Sequence, residues 1–273
     1  MSLSLIIPSA FLLFTLASAA PLTTPALTPD ISPIFTPDSP PILEDRASNA
    51  TCAPGGLFDL SVFTLQLPTG TPGKVDSISP SKLSGCDGWQ SKDYFYIQNG
   101  ALVTKVPGSS DSSGCVTTTN SKHCRTELRE SNPNSWDPKG STNRLTVQLA
   151  VPKPDDSKYG TVIGQVKIDG SISTKPLAEL FYAKDGTLTI GVSQIPNVSS
   201  LKMTKVGHVA VGETFEYQLK YEKGKFSVKI ANGQEQVMST GDVDSPKSYF
   251  KVGNYNQGDS PSEVHIYKID VQH

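Results

Sequence analysis

No stretch of the chain stays apolar for long enough to cross a bilayer as a helix, and none repeats its apolar residues with a sustained period of about 3.6. The first absence argues against a membrane span, the second against a helical bundle or a doubly wound α/β fold. Basic runs and basic tails are missing as well. With 24 Lys and Arg against 26 Asp and Glu, the chain has no bulk attraction to nucleic acid or to any other polyanion. Affinity for an acidic ligand would have to arise in a local groove. Cysteine is scarce, and Cys52, Cys86, Cys115 and Cys124 show no zinc-ligand spacing. His123 adjoins Cys124 but would point the other way on a strand, so no metal site is expected.

What is present points to a secreted β protein. An apolar run from Leu5 to Leu16, followed by Ala17-Ser18-Ala19-Ala20, has the form of a signal peptide over residues 1–20, although no Lys or Arg precedes it. Extracellular localisation follows, and the sequons at Asn49 and Asn197 suit glycosylation there. In that compartment four cysteines read as two disulfides with three possible pairings, of which the nearest-neighbour scheme, Cys52 with Cys86 and Cys115 with Cys124, is favoured. Residues 21–50 are rich in Pro and Thr, with Pro21, Pro25, Pro29, Pro33 and Pro37 at every fourth position. That composition cannot bury a core and reads as a linker or prosegment. The folded domain is expected over residues 51–273.

Within it, short strand-like runs alternate with turn residues. They are Phe63 to Leu67, Tyr94 to Gln98, Leu145 to Val151, Thr161 to Ile168, Leu177 to Tyr182, Thr187 to Val192, Phe215 to Tyr221, Lys225 to Ile230, Tyr249 to Tyr255 and Glu263 to Val271. Asp185-Gly186, Lys223-Gly224 and Asn232-Gly233 supply hairpin turns. The fold class expected is all-β, a two-sheet jelly-roll sandwich, acting as a monomer.

Three runs put polar residues on alternate positions, where a purely structural strand needs none. Arg125-Thr126-Glu127-Leu128-Arg129-Glu130 places Arg125, Glu127 and Arg129 on one face and Leu128 on the other. The two arginines are about 13 Å apart along an extended chain, which suits neighbouring units of a long anionic ligand, with Glu127 holding both side chains. Gln165, Lys167 and Asp169 share a second face. Tyr249, Lys251, Gly253, Tyr255 and Gln257 share a third, and Gly253 leaves it bare for a ligand or a neighbouring chain to approach the backbone. The competing reading of each run alone is a solvated sheet face.

These residues, Arg125-Thr126-Glu127-Leu128-Arg129, Gln165-Val166-Lys167 and Tyr249-Phe250-Lys251-Val252-Gly253-Asn254-Tyr255-Asn256-Gln257, resemble the three signature blocks of polysaccharide lyase family 7, the alginate lyases. The likeness runs from Phe58-Asp59-Leu60 to Val264-His265-Ile266-Tyr267. It implies a jelly-roll with a concave groove that cleaves an anionic polysaccharide by β-elimination without a cofactor. By that resemblance Arg125 and Gln165 neutralise the uronate carboxylate and Tyr255 transfers protons. Glu127, Arg129, Lys251, Asn254 and Gln257 bind sugar units or orient the others.

Lys167 stands where the family usually has His, the residue assigned to proton abstraction from guluronate. Three readings follow: a clamp for the carboxylate, a desolvated base, or lost catalysis. The first predicts Tyr255 as both base and acid and a preference for mannuronate-rich alginate or glucuronan. Two rival classes compete with this reading. A glycoside hydrolase needs a pair of carboxylates flanking the bond, and arginines beside Glu127 would keep it ionised. A non-catalytic polysaccharide-binding module would use the same groove without proton transfer. His123 is near enough to Arg125 to reach the groove rim, though a surface-loop histidine is the favoured reading; His208, His265 and His273 read as structural or exposed, and Trp89 and Trp136 as anchors.

Overall fold

Alternation of apolar and polar residues over runs of five to ten positions gives strands with one face to bury, and two sheets laid face to face are the simplest way to bury them. A computed structural model describes residues 52–273 and has this form. The leader, the Pro/Thr-rich segment and Asn49 lie outside the described residues. In chain order the strands are β1 (Phe63–Thr71), β2 (Lys74–Ile78), β3 (Phe95–Gln98), β4 (Ala101–Val106), β5 (Arg125–Glu130), β6 (Arg144–Lys153), β7 (Thr161–Ile168) and β8 (Pro176–Tyr182). They continue as β9 (Thr187–Ser193), β10 (Leu201–His208), β11 (Phe215–Glu222), β12 (Lys225–Ile230), β13 (Gln236–Met238), β14 (Ser248–Tyr255) and β15 (Ser262–Gln272).

One sheet has eight strands in the order β10-β9-β8-β7-β14-β5-β1-β2, the other seven in the order β13-β12-β11-β6-β15-β4-β3. All the pairings between these strands are antiparallel. The core between the sheets holds Leu128, Val166, Phe250 and Val252 from the first and Leu145, Val147, Tyr217 and Leu219 from the second. Strand periodicity did not reveal β2, β4, β10 or β13. Strands β10, β2 and β13 lie at sheet edges with mostly open side chains, while β4 is buried on both faces and so does not alternate.

Turn chemistry matches the hairpins at Gly186 and at Lys223-Gly224, where Lys223 has φ 51° and Gly224 φ 71°. After β12 it is Ala231, not Asn232, that takes the left-handed conformation, at φ 47°. Both nearest-neighbour disulfides are present, Cys52–Cys86 and Cys115–Cys124. Asn197 is exposed on the connection between β9 and β10.

A buried carboxylate fastens the core side of β5. Glu130 shares its face with Leu128, is fully buried, and accepts hydrogen bonds from Trp136 Nε1 and Phe250 N, both at 2.8 Å, and from His273 Nε2 at 2.5 Å. Trp136 is thus the anchor its sequence position suggested, packed on Phe250 with ring centres 4.6 Å apart. His265 reaches Glu263 and His208 reaches the Asp185 carbonyl, so both are structural. Replacing His273 by Ala removes one donor from a carboxylate that water cannot reach. Unfolding stability should fall by about 1–3 kcal/mol in a denaturant titration, with the groove residues unaffected; an unchanged midpoint would show that the contact contributes nothing.

Candidate active site

The outer face of β7, β14 and β5, adjacent strands near the middle of the eight-stranded sheet, is where the polar alternation of the sequence collects. Register does the assembly. Tyr255 pairs with Arg125, Gly253 with Glu127, and Lys251 sits between Arg129 on one side and Gln165 on the other. Gly253 makes this packing possible: its φ is 140°, and a Cβ there would lie 2.7 Å from the Thr126 carbonyl oxygen. The bare backbone therefore admits the neighbouring strand, not a ligand. Next to it, between Val252 and Tyr255, β14 slips register against β7.

Glu127 is the centre of the cluster. Its carboxylate accepts from Arg125 Nη1 at 3.4 Å and from the Lys251 ammonium and the Gln165 amide in still closer contacts. It is 1% exposed and lies beneath the groove, so of the two expected roles, contacting a sugar unit or holding its neighbours, it is placed for the second. It does not hold Arg129, which instead donates to Asn134 Oδ1 at 2.9 Å and to the Glu130 carbonyl and lies over the Tyr249 ring, 4.2 Å from its centre. Asn254 does not reach the groove either. It faces the core, donates to the Thr104 carbonyl and accepts from Ser262 Oγ, because its position on β14 is one residue out of phase with Lys251 and Tyr255. Asp169 lies past the end of β7 and caps a turn through Ser171.

Above the cluster runs a groove of about 560 Å³, lined by Arg125, Arg129, Gln165, Lys167, Lys251, Tyr255 and Gln257 among others. Lys122, Arg125, Arg129, Lys167, Lys175 and Lys251 bring six cations to it, against Glu179 as the one carboxylate among its described lining residues. A chain of near-neutral net charge has thus concentrated positive charge along one face. The Arg125 guanidinium stacks on Tyr255, 4.0 Å from the ring centre, and the phenol is 2.9 Å from Ser121 Oγ. Gln257 is held by its backbone N–H on the buried Asp155 carboxylate at 2.8 Å.

Burial is the largest influence on four ionisable groups here, Lys251, Lys167, Glu179 and Tyr255. It pulls Lys251 down to about 7 against the opposing attraction of Glu127, and Lys167 down to about 8 against that of Glu179. Burial likewise lifts Glu179 to about 7, and it raises the Tyr255 phenol, an effect that Arg125 opposes. Lys167 Nζ also donates to the Thr174 carbonyl at 2.6 Å.

A protein-family model described as alginate lyase matches residues 58–273, the whole of this sandwich. The chain belongs to the alginate lyases of polysaccharide lyase family 7. It is 23% identical to an alginate lyase of Klebsiella pneumoniae over 82% of this chain and 92% of that protein. Among solved structures it resembles alginate lyase A1-II′ in a complex with product, with 26% identity, a TM-score of 0.69, and coverage of 81% of this chain and 99% of the other. It also resembles an alginate lyase of Pseudomonas aeruginosa, with 27% identity, a TM-score of 0.66, and coverage of 79% and 99%.

Two parts of this lyase's groove escaped the sequence reading. Glu179 is one, although its signal was there: a single charge in the otherwise apolar Leu177-Ala178-Glu179-Leu180, and the register partner of Gln165. The other is Ser121, in the same disulfide-closed loop as the rim residue His123, which the Cys115–Cys124 bridge and the chain path bring to Tyr255. Glu179 offers a direct check of the electrostatics. Because its raised carboxyl takes up protons in the folded state that the unfolded chain has released, it contributes stability below about pH 4.5 that is lost as pH rises to about 7. Glu179→Gln should flatten that slope in pH-dependent unfolding and lower the Lys167 titration midpoint, read by NMR of labelled lysine. A Lys167 midpoint that stays put would separate the two groups electrostatically.

Proposed function

We propose that the protein is a secreted lyase that cuts mannuronate-rich alginate or glucuronan by β-elimination, with Tyr255 as both base and acid. The observation that carries this reading is the stacking of Arg125 on Tyr255 inside a groove of six cations. Removing the C5 proton of a uronate puts further negative charge beside a carboxylate, so a cation and a hydrogen-bond donor must neutralise that carboxylate as the charge develops. Arg125 supplies the cation. Gln165 supplies the amide, oriented by Glu127 and with a second N–H left over.

In the proposed step the Tyr255 phenolate takes the C5 proton, the electron pair forms the C4–C5 double bond, and the C4–O4 bond breaks. O4 leaves with the proton that Tyr255 returns to it. One residue suffices when the C5 hydrogen and O4 lie on the same face of the ring, as in mannuronate and glucuronate. Lys167, hydrogen-bonded to Thr174 and still able to carry charge below about pH 8, acts as an additional clamp for the carboxylate. Arg129 and Lys251 extend the positive floor for neighbouring units and Gln257 adds a polar lining, consistent with the product and substrate complexes described for alginate lyase A1-II′. Secretion is supported by the two disulfides together with the leader of residues 1–20.

Incubating the protein with polymannuronate, polyguluronate and glucuronan, and following the ultraviolet absorbance of the unsaturated product, tests the preference. Rapid cleavage of polyguluronate alone overturns it. Tyr255→Phe should lower kcat by about a hundredfold or more while polymer binding survives. Lys167→His should raise turnover of polyguluronate relative to polymannuronate by about tenfold, since an imidazole there is a competent base near neutral pH.

A further inference from the structure

Residues 116–123 form a loop closed by the Cys115–Cys124 bridge, and its end lies against the phenol of Tyr255. Ser121 Oγ is 2.9 Å from the phenolic oxygen, accepts from the His123 N–H at 3.1 Å, and lies 3.2 Å from the His123 carbonyl oxygen. A serine hydroxyl has one hydrogen and two acceptor positions. The His123 N–H occupies one acceptor position permanently. While Tyr255 is neutral, its O–H fills the second, and the serine hydrogen goes to the His123 carbonyl. Once Tyr255 is ionised, the serine hydrogen can turn onto the phenolate without any heavy atom moving. The same three atoms therefore satisfy both protonation states of the phenol.

We propose that Ser121 is a positioning residue for the elimination, aiming the Tyr255 phenol and donating to its ionised form. The assignment rests on the reading of Tyr255 as the proton-transfer residue. In each turnover the Ser121 hydrogen leaves the phenolate as the C5 proton arrives and returns when O4 takes that proton away, so no net proton passes to serine.

The surroundings of Tyr255 leave this task to Ser121. Arg125 covers one face of the ring at 4.0 Å and favours the phenolate. His123 meets the ring edge-on, with centres 5.9 Å apart, and burial together with Arg125 keeps its imidazole below the ordinary range and hence neutral near pH 7. The carboxylates of Glu127 and Glu179 oppose ionisation from β5 and β8, while Val162 and Phe181, with Tyr159 beside them, pack the apolar side. Gln257 Nε2 donates to the Tyr255 carbonyl, not to the phenol. Among the described residues only Ser121 makes a hydrogen bond to the phenolic oxygen.

The test compares Ser121→Ala and Ser121→Thr with the unsubstituted chain, reading the Tyr255 titration by NMR of ring-labelled tyrosine and the pH dependence of kcat and KM on polymannuronate. Ser121→Ala should move the Tyr255 titration and the rising limb of kcat together to higher pH. It should also lower kcat at pH 7 on the order of tenfold, the loss expected for one hydrogen bond to a charged group, with KM unchanged. Ser121→Thr, which keeps the hydroxyl, should restore most of the rate. A kcat profile that does not move in Ser121→Ala, while Tyr255→Phe is inactive, overturns the assignment of Ser121 alone. Full activity in Tyr255→Phe overturns the catalytic reading beneath it, whatever the Ser121 variants do.

Discussion

One buried carboxylate organises the working face of this lyase. Glu127 gathers Arg125, Gln165 and Lys251 from three adjacent strands, and each of those donors is aimed by that contact before any substrate arrives. A charge in so enclosed a position is costly unless fully paired, and removing one partner from such a cluster costs far more than a surface ion pair returns. The arrangement offsets the mutual repulsion of the groove cations with negative charge that lies underneath them and not in the path of a ligand.

The sheet around Glu127 is built to allow this. Gly253 lets β14 approach β5 closely enough for Lys251 to reach the carboxylate, and the core faces of the same strands are closed by Leu128, Phe250 and Val252. Glu130, on the far side of β5, does for the core what Glu127 does for the groove, tying Trp136, Phe250 and His273 to one strand. A single six-residue strand thus carries two buried carboxylates that face opposite ways, each paired in a different manner. The disulfide-closed loop then sets Ser121 and His123 against Tyr255, which an unbraced surface loop would do only part of the time.

Much of this was open to view in the chain itself. Alternation in Arg125–Glu130 and in Tyr249–Tyr255 identified the strands and the face that bears charge, because a period of two is imposed by backbone geometry and needs no tertiary context. The same period should have excluded Asn254, which stands out of phase with Lys251 and Tyr255; the motif resemblance drew it into the groove where the pleat turns it away. Disulfide pairing followed from proximity along the chain, and family membership followed from three short blocks. Edge strands β2, β10 and β13 were harder to see, since partial exposure leaves little pattern to read.

What the linear chain determined by itself is the inventory: a β sandwich, a strand face with two guanidiniums, and a phenol, an amide and an ammonium on faces of the same kind. What only the folded form decided is who meets whom. Pairing register put Tyr255 beside Arg125 and Lys251 beside Gln165, gave Glu127 Gln165 and Lys251 to hold in place of Arg129, and the fold set Glu179 and Ser121 into the groove beside residues far from them in the chain. The physical reason is that periodicity is a local property of the backbone, whereas strand order, register and the desolvation of a charged group depend on neighbours far away in sequence.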